Sequence, residues 1–365
     1  MTFDLRLPAH IAFGRGLFAG AAERISAIGR QPLIVHGASS AERAVGLGPS
    51  RLEVSGEPDL ASLNDALATA RDEAPDMVVA LGGGAVIDMG KALAALIPAK
   101  SDPMRHLEVV GDGAPLETAP LPFVAIPTTA GTGSEATKNA VIGVPEHKRK
   151  VSLRDDRMLA RLALVDPALT ETAPRGIRLA SGLDAVTQVI EPFLSTRANP
   201  FTDALCRDAI PRGLVALRRV IETPDEAAFD DMALVSLTGG IALANAGLGA
   251  VHGLAGPLGG HTGAPHGTLC GRLLVPVLRA NFERIDPGRR AELEEWIGGV
   301  FGRGDPLAAF EAWIDGQSLP RLAEMGVTSQ IAAQVSREAP QSSSMKGNPV
   351  TLDAGALLAI MEDAI

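Results

Sequence analysis

Hydrophobic positions in the first half of the chain occur as short continuous runs. Residues 32–35, 76–81 and 121–127 are apolar stretches, each followed by glycine or small polar residues. Runs of this length between turn residues predict buried strands. A helical pattern at 85–96 follows the second run. Alternation of strands and helices predicts an α/β region with a largely parallel sheet.

Beyond Val165 the pattern changes, because strand-like runs disappear and apolar residues recur at helical spacing, as at 181–191 and 269–278. We therefore predict an α/β domain at 1–160 and an all-helical domain at 161–365. A length of 365 residues, above the usual size of one hydrophobic core, agrees with two domains. Residues 339–349, with their serine run, have a linker-like composition.

Composition and charge narrow the class of protein. The formal net charge of −10 disfavours nucleic acid and anionic membranes as partners. The N-terminus carries charges where a signal peptide needs an apolar run, and the longest apolar stretch, 77–97, is interrupted by Asp88 and Lys91. Two cysteines, Cys206 and Cys270, make neither a disulfide framework nor a four-cysteine zinc site. We expect a cytoplasmic protein that acts on a small molecule.

Two segments in the first half are suited to binding phosphate. Gly82, Gly83 and Gly84 separate the second strand from its helix, where glycine admits a phosphate to the backbone and the helix start offers free N–H groups. The third strand opens into the hydroxyl-rich and glycine-rich stretch 128–137. Both lie at the carboxyl ends of predicted strands, where ligands of such sheets bind. The alternative for each segment is a plain turn whose hydroxyls bond their own backbone.

The second half concentrates candidate metal ligands. Three of the seven histidines, His252, His261 and His266, fall within fifteen residues rich in glycine and proline. Asp184 and Gln188 lie four residues apart, on one face of a predicted helix. A carboxylate and imidazoles from separate helices suit iron(II) or zinc. A packed or capping role is the alternative for any single histidine.

These segments together resemble the iron-containing (group III) alcohol dehydrogenase family, whose fold is shared with glycerol dehydrogenase and dehydroquinate synthase. The resemblance implies a Rossmann-like α/β dinucleotide-binding domain followed by an all-helical metal and substrate domain, in a homodimer. The tail SSSMKGNPV (342–350) is more similar to the maleylacetate reductase branch. The other matching motifs, in the family's order, are GGGAVIDMGKA (82–92), IPTTAGTGSEAT (126–137), ALVDPALTETAP (163–174), SGLDAVTQVIE (181–191) and VHGLAGPLGGHTGAPHG (251–267).

The resemblance also implies roles for individual residues. The cofactor residues implied are the pyrophosphate loop Gly82, Gly83 and Gly84 with Asp88 behind it, the nicotinamide and ribose wall Thr128, Thr129, Thr132 and Thr137, the lysine Lys150, and the ribose-selecting position Gly37. The metal ligands implied are Asp184, Gln188, His252 and His266.

This sequence departs from the family pattern at four positions, one of which is Ala85, where the family usually has a serine in the phosphate loop. Gln188 stands where the family has a histidine ligand, which predicts weaker metal binding. Gly256 replaces a histidine that helps to relay the proton, and we take His261 as the substitute relay. Gly37 replaces the aspartate of NAD users and is followed by Ser39, Ser40 and Arg43, so we expect NADP to be accepted at least as well as NAD.

We expect an NAD(P)-dependent oxidoreductase that interconverts a small alcohol and an aldehyde or ketone, assisted by a weakly held iron or zinc ion. His252, as a ligand, and His261, as the relay, are the catalytic histidines. The absence of tyrosine excludes reductases that use a tyrosine as proton donor. Three alternatives stay open: a metal-independent maleylacetate reductase type with a carboxylate-bearing substrate, a dehydroquinate synthase-like lyase, and a non-catalytic nucleotide-binding protein.

Overall fold

The structure is a computed structural model that describes residues 2–365. It forms two compact units, Leu5–Ala173 and Pro174–Ile365, and residues 2–4 group with the second unit. The described residues hold eight strands, all in the first unit, and thirteen α-helices.

The first unit is built on a six-stranded parallel sheet with the strand order β1-β8-β5-β4-β2-β3. Strands β6 and β7 form a separate antiparallel pair. The elements are β1 (Ile11–Phe13), α1 (Ala21–Ser26), β2 (Pro32–Gly37), α2 (Ala41–Val45), β3 (Ser50–Val54), α3 (Leu60–Asp72), β4 (Met77–Gly82), α4 (Gly84–Leu96), β5 (Phe123–Pro127), β6 (Asn139–Val144), β7 (Arg149–Arg154) and β8 (Leu162–Val165). Short 3-10 turns connect them at 17–20, 38–40, 103–106, 134–136, 145–147, 156–158 and 167–170.

Helices cover both faces of the sheet, which explains why its inner strands are apolar without alternation. In β2, Leu33 and Val35 join one hydrophobic core with α3 and α4, whereas Ile34 faces the core shared with α1 and α2. The predicted strands at 32–35, 76–81 and 121–127 correspond to β2, β4 and β5. The predicted α/β class with a parallel sheet is confirmed.

The second unit is helical throughout. Its helices are α5 (Arg175–Leu194), α6 (Pro200–Glu222), α7 (Glu226–Ala246), α8 (Ala250–Thr262), α9 (His266–Phe282), α10 (Pro287–Phe301), α11 (Pro306–Gly316), α12 (Ser329–Glu338) and α13 (Ala354–Ala364), with 3-10 turns at 339–341 and 344–347. Helix α7 is long and apolar enough to cross a membrane, with a mean hydropathy of 1.4 over its best window. It packs against α5 and α6, as a core helix does.

Two details of the predicted organisation differ in the structure. Strand β8 lies beyond residue 160 but pairs with β1 and β5, so the α/β unit continues to Ala173. The segment 339–349 is not a linker, because it folds into two 3-10 turns and buries Asn348. The Asn348 side chain accepts the N–H of Ala250 and bonds Asn281, which fixes the start of α8.

Candidate metal centre and dinucleotide cradle

Three helices of the second unit bring four potential metal ligands together. Asp184 comes from α5, His252 from α8, and His266 and Cys270 from α9. One ligand atom from each residue lies within 4.8 Å of the others. The structure therefore brings together Asp184, His252 and His266, the carboxylate and imidazoles that the sequence predicts, and adds a thiol.

Glycines explain why α9 approaches α5 so closely. A Cβ at Gly267 would lie 2.6 Å from the carbonyl oxygen of Ala180, and one at Gly271 would lie 2.6 Å from a methyl group of Leu183. These glycines are one helical turn apart, so any larger side chain on this face would force the helices apart. Their close packing carries the neighbouring ligand side chains of α9 towards Asp184.

Two ligand atoms in the cluster are buried without a hydrogen bond among the described residues. Asp184 Oδ1 and His252 Nε2 lie 3.2 Å apart, yet neither makes a hydrogen bond of acceptable geometry. Both residues are more than nine-tenths buried. Because unsatisfied buried polar atoms are destabilising, a cation that both lone pairs can reach fits this arrangement.

Glu191 orients His252 from the far side of the ring. Its Oε2 lies 2.6 Å from His252 Nδ1, and its Oε1 accepts the N–H of Val251 at 2.7 Å. A proton held on Nδ1 leaves the lone pair of Nε2 directed at the cluster. Glu191 lies in the motif 181–191, two helical turns after Asp184, but its spacing in the sequence does not mark it as a partner of His252.

The electrostatics of the cluster favour a bound cation. Burial works to lower the pKa of His252 and His266, but the negative groups around them outweigh it. The pKa of His252 is therefore raised well above its usual value, and that of His266 to about 9. Burial tends to raise the pKa of Asp184, but His252 and His266 together hold it below its usual value. A bound cation would meet the same negative groups that raise these two pKa values.

Two residues predicted for this unit have different outcomes. Gln188 is buried on α5, one turn after Asp184, and its role as a ligand stays a prediction. His261 lies about two and a half turns beyond His252, on the opposite side of α8. Its Nε2 lies 3.1 Å from Glu338 Oε2, and the geometry does not support its assignment as the proton relay.

The glycine loop of the first unit forms a tight cradle at the carboxyl end of β4. A Cβ at Gly82 would lie 2.6 Å from Val86 Cβ, so the turn into α4 requires glycine. At Gly84 a Cβ would lie 2.7 Å from Thr132, and at Gly83 it would lie 3.3 Å from Thr129 Oγ1. The first N–H groups of α4 have no partner within the helix, so they can bind a phosphate here.

The threonine segment lies against this loop because β5 pairs with β4. Gly82 is in register with Pro127, and the N–H of Thr128 donates to the carbonyl of Gly82 at 2.9 Å. Thr128, Thr129 and Thr132 are partly exposed. They are thus available to a ligand that approaches the glycine loop.

Thr137 and Asp88 make hydrogen bonds that connect α4 to the segment around β6. Thr137 is 3% exposed, and its hydroxyl oxygen accepts from Lys91 Nζ at 2.8 Å. The Asp88 carboxylate accepts the N–H of Val141 at 3.1 Å. These bonds tie α4 to the segment that follows the threonines, and the contact of either residue with a cofactor stays a prediction.

Lys91 and Glu135 are two buried ionisable groups near the cradle with no role predicted from the sequence. Burial lowers the pKa of the Lys91 ammonium to about 8, against the attraction of Asp88 and Glu135. Burial also raises the pKa of the Glu135 carboxyl to about 7. Their signal in the sequence is a charged residue inside an otherwise apolar helix or glycine-rich segment.

The remaining predicted cofactor residues lie at the edges of the first unit. Lys150, in β7, has its ammonium 2.5 Å from Glu57 Oε2, and its contact with a cofactor stays a prediction. Gly37 ends β2 with φ −87° and ψ 162°, a conformation open to any residue. Ser40 is buried, whereas the neighbouring side chains of Ser39 and Glu42 are exposed and that of Arg43 is partly exposed.

Sequence comparison assigns both units to one family. The iron-containing alcohol dehydrogenase profile matches residues 8–167, and the C-terminal profile of the Fe-containing alcohol dehydrogenase family matches residues 178–365. The chain therefore belongs to the iron-containing alcohol dehydrogenase family.

Individual relatives and solved structures agree with this family assignment. Long-chain-alcohol dehydrogenase 1 of Geobacillus thermodenitrificans is 36% identical over 67% of this chain, and the match spans 61% of that protein's length. The 4-hydroxybutyrate dehydrogenase of Cupriavidus necator is 34% identical over 74% of this chain and 75% of its own. A 1,3-propanediol oxidoreductase structure matches with a TM-score of 0.91 and 28% identity, over 100% of both chains. Sulfoacetaldehyde reductase from Bifidobacterium kashiwanohense, solved with NAD+, has a TM-score of 0.87 and 25% identity, over 100% of this chain and 99% of its own.

Proposed function

We propose that this chain is a metal-assisted, NAD(P)-dependent alcohol dehydrogenase that interconverts small alcohols and the corresponding aldehydes or ketones. The observation that carries the proposal is the convergence of Asp184, His252 and His266, with two buried ligand atoms left without hydrogen bonds. A metal-independent reductase of the maleylacetate type has no need for such an arrangement.

The residues of the second unit would hold and orient the reacting oxygen. A divalent ion bound there supplies Lewis-acid chemistry, which polarises a substrate oxygen and makes an alcohol more acidic. Glu191 keeps the His252 proton on Nδ1, so Nε2 is ready as a ligand. Position 256, one turn after His252 on α8, offers room for a small substrate, because a Cβ on Gly256 would meet no atom within 4 Å.

The residues of the first unit would bind the dinucleotide. A nicotinamide cofactor supplies the hydride acceptor or donor. The helix start at Gly84 and the close backbone at Gly83 suit its pyrophosphate. The solved NAD+ complex of sulfoacetaldehyde reductase supports the cofactor class. We propose that NADP serves at least as well as NAD, since Gly37 carries no carboxylate to repel a 2′-phosphate and Arg43 is close in sequence.

Two of the matched proteins, unlike the long-chain-alcohol dehydrogenase, are named for short alcohols with a second polar group. Their names include 4-hydroxybutyrate and 1,3-propanediol, which each have a second polar group at the far end of a short carbon chain. We propose the same substrate class for this chain.

The test is a panel assay on protein purified without chelators. Short diols, ω-hydroxy acids and their aldehydes are offered with NAD(H) and NADP(H), and the reduced nicotinamide is followed by absorbance. We expect net turnover that falls when a chelator removes the metal, with dinucleotide affinity unchanged because the two ligand sets lie in separate units. Full turnover by metal-free protein would overturn the metal-assisted assignment. Product formation without net change in nicotinamide would instead indicate a lyase of the dehydroquinate synthase type.

A further inference from the structure

Cys270 is placed as a ligand rather than as an ordinary core cysteine. It follows His266 by one turn of α9, and its Sγ lies 3.5 Å from His266 Nε2. The Cys270 side chain is fully buried, and Asp184 and His252 are each more than nine-tenths buried. A thiol in a purely apolar core would have neither a carboxylate nor two imidazoles within 4.8 Å.

Two of three separations between ligand atoms are close to those of a tetrahedral site, and the third is slightly longer. Bond lengths of about 2.0–2.1 Å from zinc to nitrogen or oxygen, and about 2.3 Å to sulfur, put tetrahedral ligand atoms about 3.3–3.6 Å apart. Here His252 Nε2 and Asp184 Oδ1 are 3.2 Å apart, Cys270 Sγ and His266 Nε2 are 3.5 Å apart, and His266 Nε2 and Asp184 Oδ1 are 4.0 Å apart. Since all four atoms lie within 4.8 Å, small side-chain movements suffice to close the site.

The other cysteine provides an internal comparison. Cys206 is equally buried, in α6, and burial raises the pKa of its thiol to about 12. It is not part of the ligand cluster found among the described residues. Burial alone therefore does not distinguish Cys270, whereas its position among three other ligands does.

We infer that Cys270 is the fourth protein ligand of the metal proposed above and makes zinc the preferred ion. This inference rests on the proposed function for the presence of a metal. The set of one thiolate, two imidazoles and one carboxylate supplies four ligands without Gln188, and a substrate oxygen would add to the ion as a fifth ligand. The thiol releases its proton on binding. Thiolate ligands favour zinc over harder ions, so the sulfur shifts the preference of the site away from iron(II).

The inference is tested on the full chain with Co²⁺ as a spectroscopic probe. Metal-free protein is titrated with Co²⁺, and a bound thiolate adds a sulfur-to-cobalt charge-transfer band in the near ultraviolet. We expect the band in the native chain and its loss in Cys270→Ala, with zinc affinity falling by about tenfold or more in competition with a chromophoric chelator. Cys206→Ala, the matched control, should keep both the band and the affinity. Circular dichroism checks that the variants fold.

Each outcome has a defined meaning. A band that survives in Cys270→Ala, or a native chain that binds Co²⁺ without one, overturns the assignment of Cys270. Elemental analysis that finds iron and no zinc, in protein purified anaerobically from cells supplied with both metals, overturns the preference for zinc. Turnover without the band would overturn the assignment of Cys270 and leave the proposed function standing. A band without turnover on any substrate would support Cys270 as a ligand and count against the proposed function.

Discussion

Replacing Glu191 by glutamine tests whether a buried carboxylate prepares His252 for the metal. The change removes a charge but almost no volume. In the native chain each carboxylate oxygen accepts one hydrogen bond: Oε2 from His252 Nδ1–H at 2.6 Å and Oε1 from the N–H of Val251 at 2.7 Å. Glutamine has one oxygen and an NH₂ group, so it cannot accept both bonds.

Either orientation of the new amide carries a penalty. If its oxygen stays with Val251, the NH₂ group faces His252 Nδ1, which must give up its proton and leave Nε2 protonated and unable to bind metal. If the oxygen moves to His252, the NH₂ group opposes the N–H of Val251, and a buried donor loses its partner at a cost of about 1–3 kcal/mol. We therefore expect metal affinity to fall by roughly 10–100-fold, or about 1.4–2.8 kcal/mol.

The assay is zinc titration of metal-free protein in competition with a chromophoric chelator. The matched control is Glu338→Gln. Glu338, at the end of α12, pairs with His261, which lies on the same helix as His252 but outside the ligand cluster. We expect the control to bind zinc as the native chain does. Equal affinity in Glu191→Gln and the native chain would refute the orienting role, and an equal loss in the control would show that the effect is not specific to His252.

Three further predictions concern the first unit. Gly83→Val should abolish dinucleotide binding in calorimetry while circular dichroism stays unchanged, because φ −75° and ψ −176° suit valine but its side chain would fill the cradle. Gly37→Asp should shift the ratio of kcat/KM values towards NADH, and an unchanged ratio would contradict the role of this position. In the native chain the free energy of unfolding, measured by urea titration, should fall as pH rises from about 4.5 to about 7. Glu135→Gln should remove this fall. In that window the folded carboxyl holds its proton and the unfolded one does not, so stability falls with pH.

Local sequence determined the elements that frame both candidate sites. The apolar runs before Gly82 and Thr128 predicted β4 and β5, because strands covered on both faces have no polar alternation. The spacing of Asp184 and Gln188 placed both on one face of α5, since four residues make about one helical turn. The family resemblance then named Asp184, His252 and His266 as ligands.

Weak local signals left other elements undetected. The edge strands β1 and β3 are short or partly polar, because a strand at the edge of a sheet has a neighbouring strand on only one side and is less buried. The β6–β7 pair alternates buried and exposed positions less regularly than a clear strand signal requires. Strand β8 is only four residues long, which is why the boundary was placed before it.

Tertiary structure alone decided which side chains share the metal site. Cys270 and Glu191 are far from His252 in the sequence, and no local pattern marks either as its neighbour. Cys270 reaches Asp184 because Gly267 and Gly271 let α9 pack closely on α5. His261 is the opposite case, because it is close to His252 in the sequence but lies on the other side of α8. Periodicity within an element fixes which face a residue occupies, but only the packing of helices fixes what that face meets.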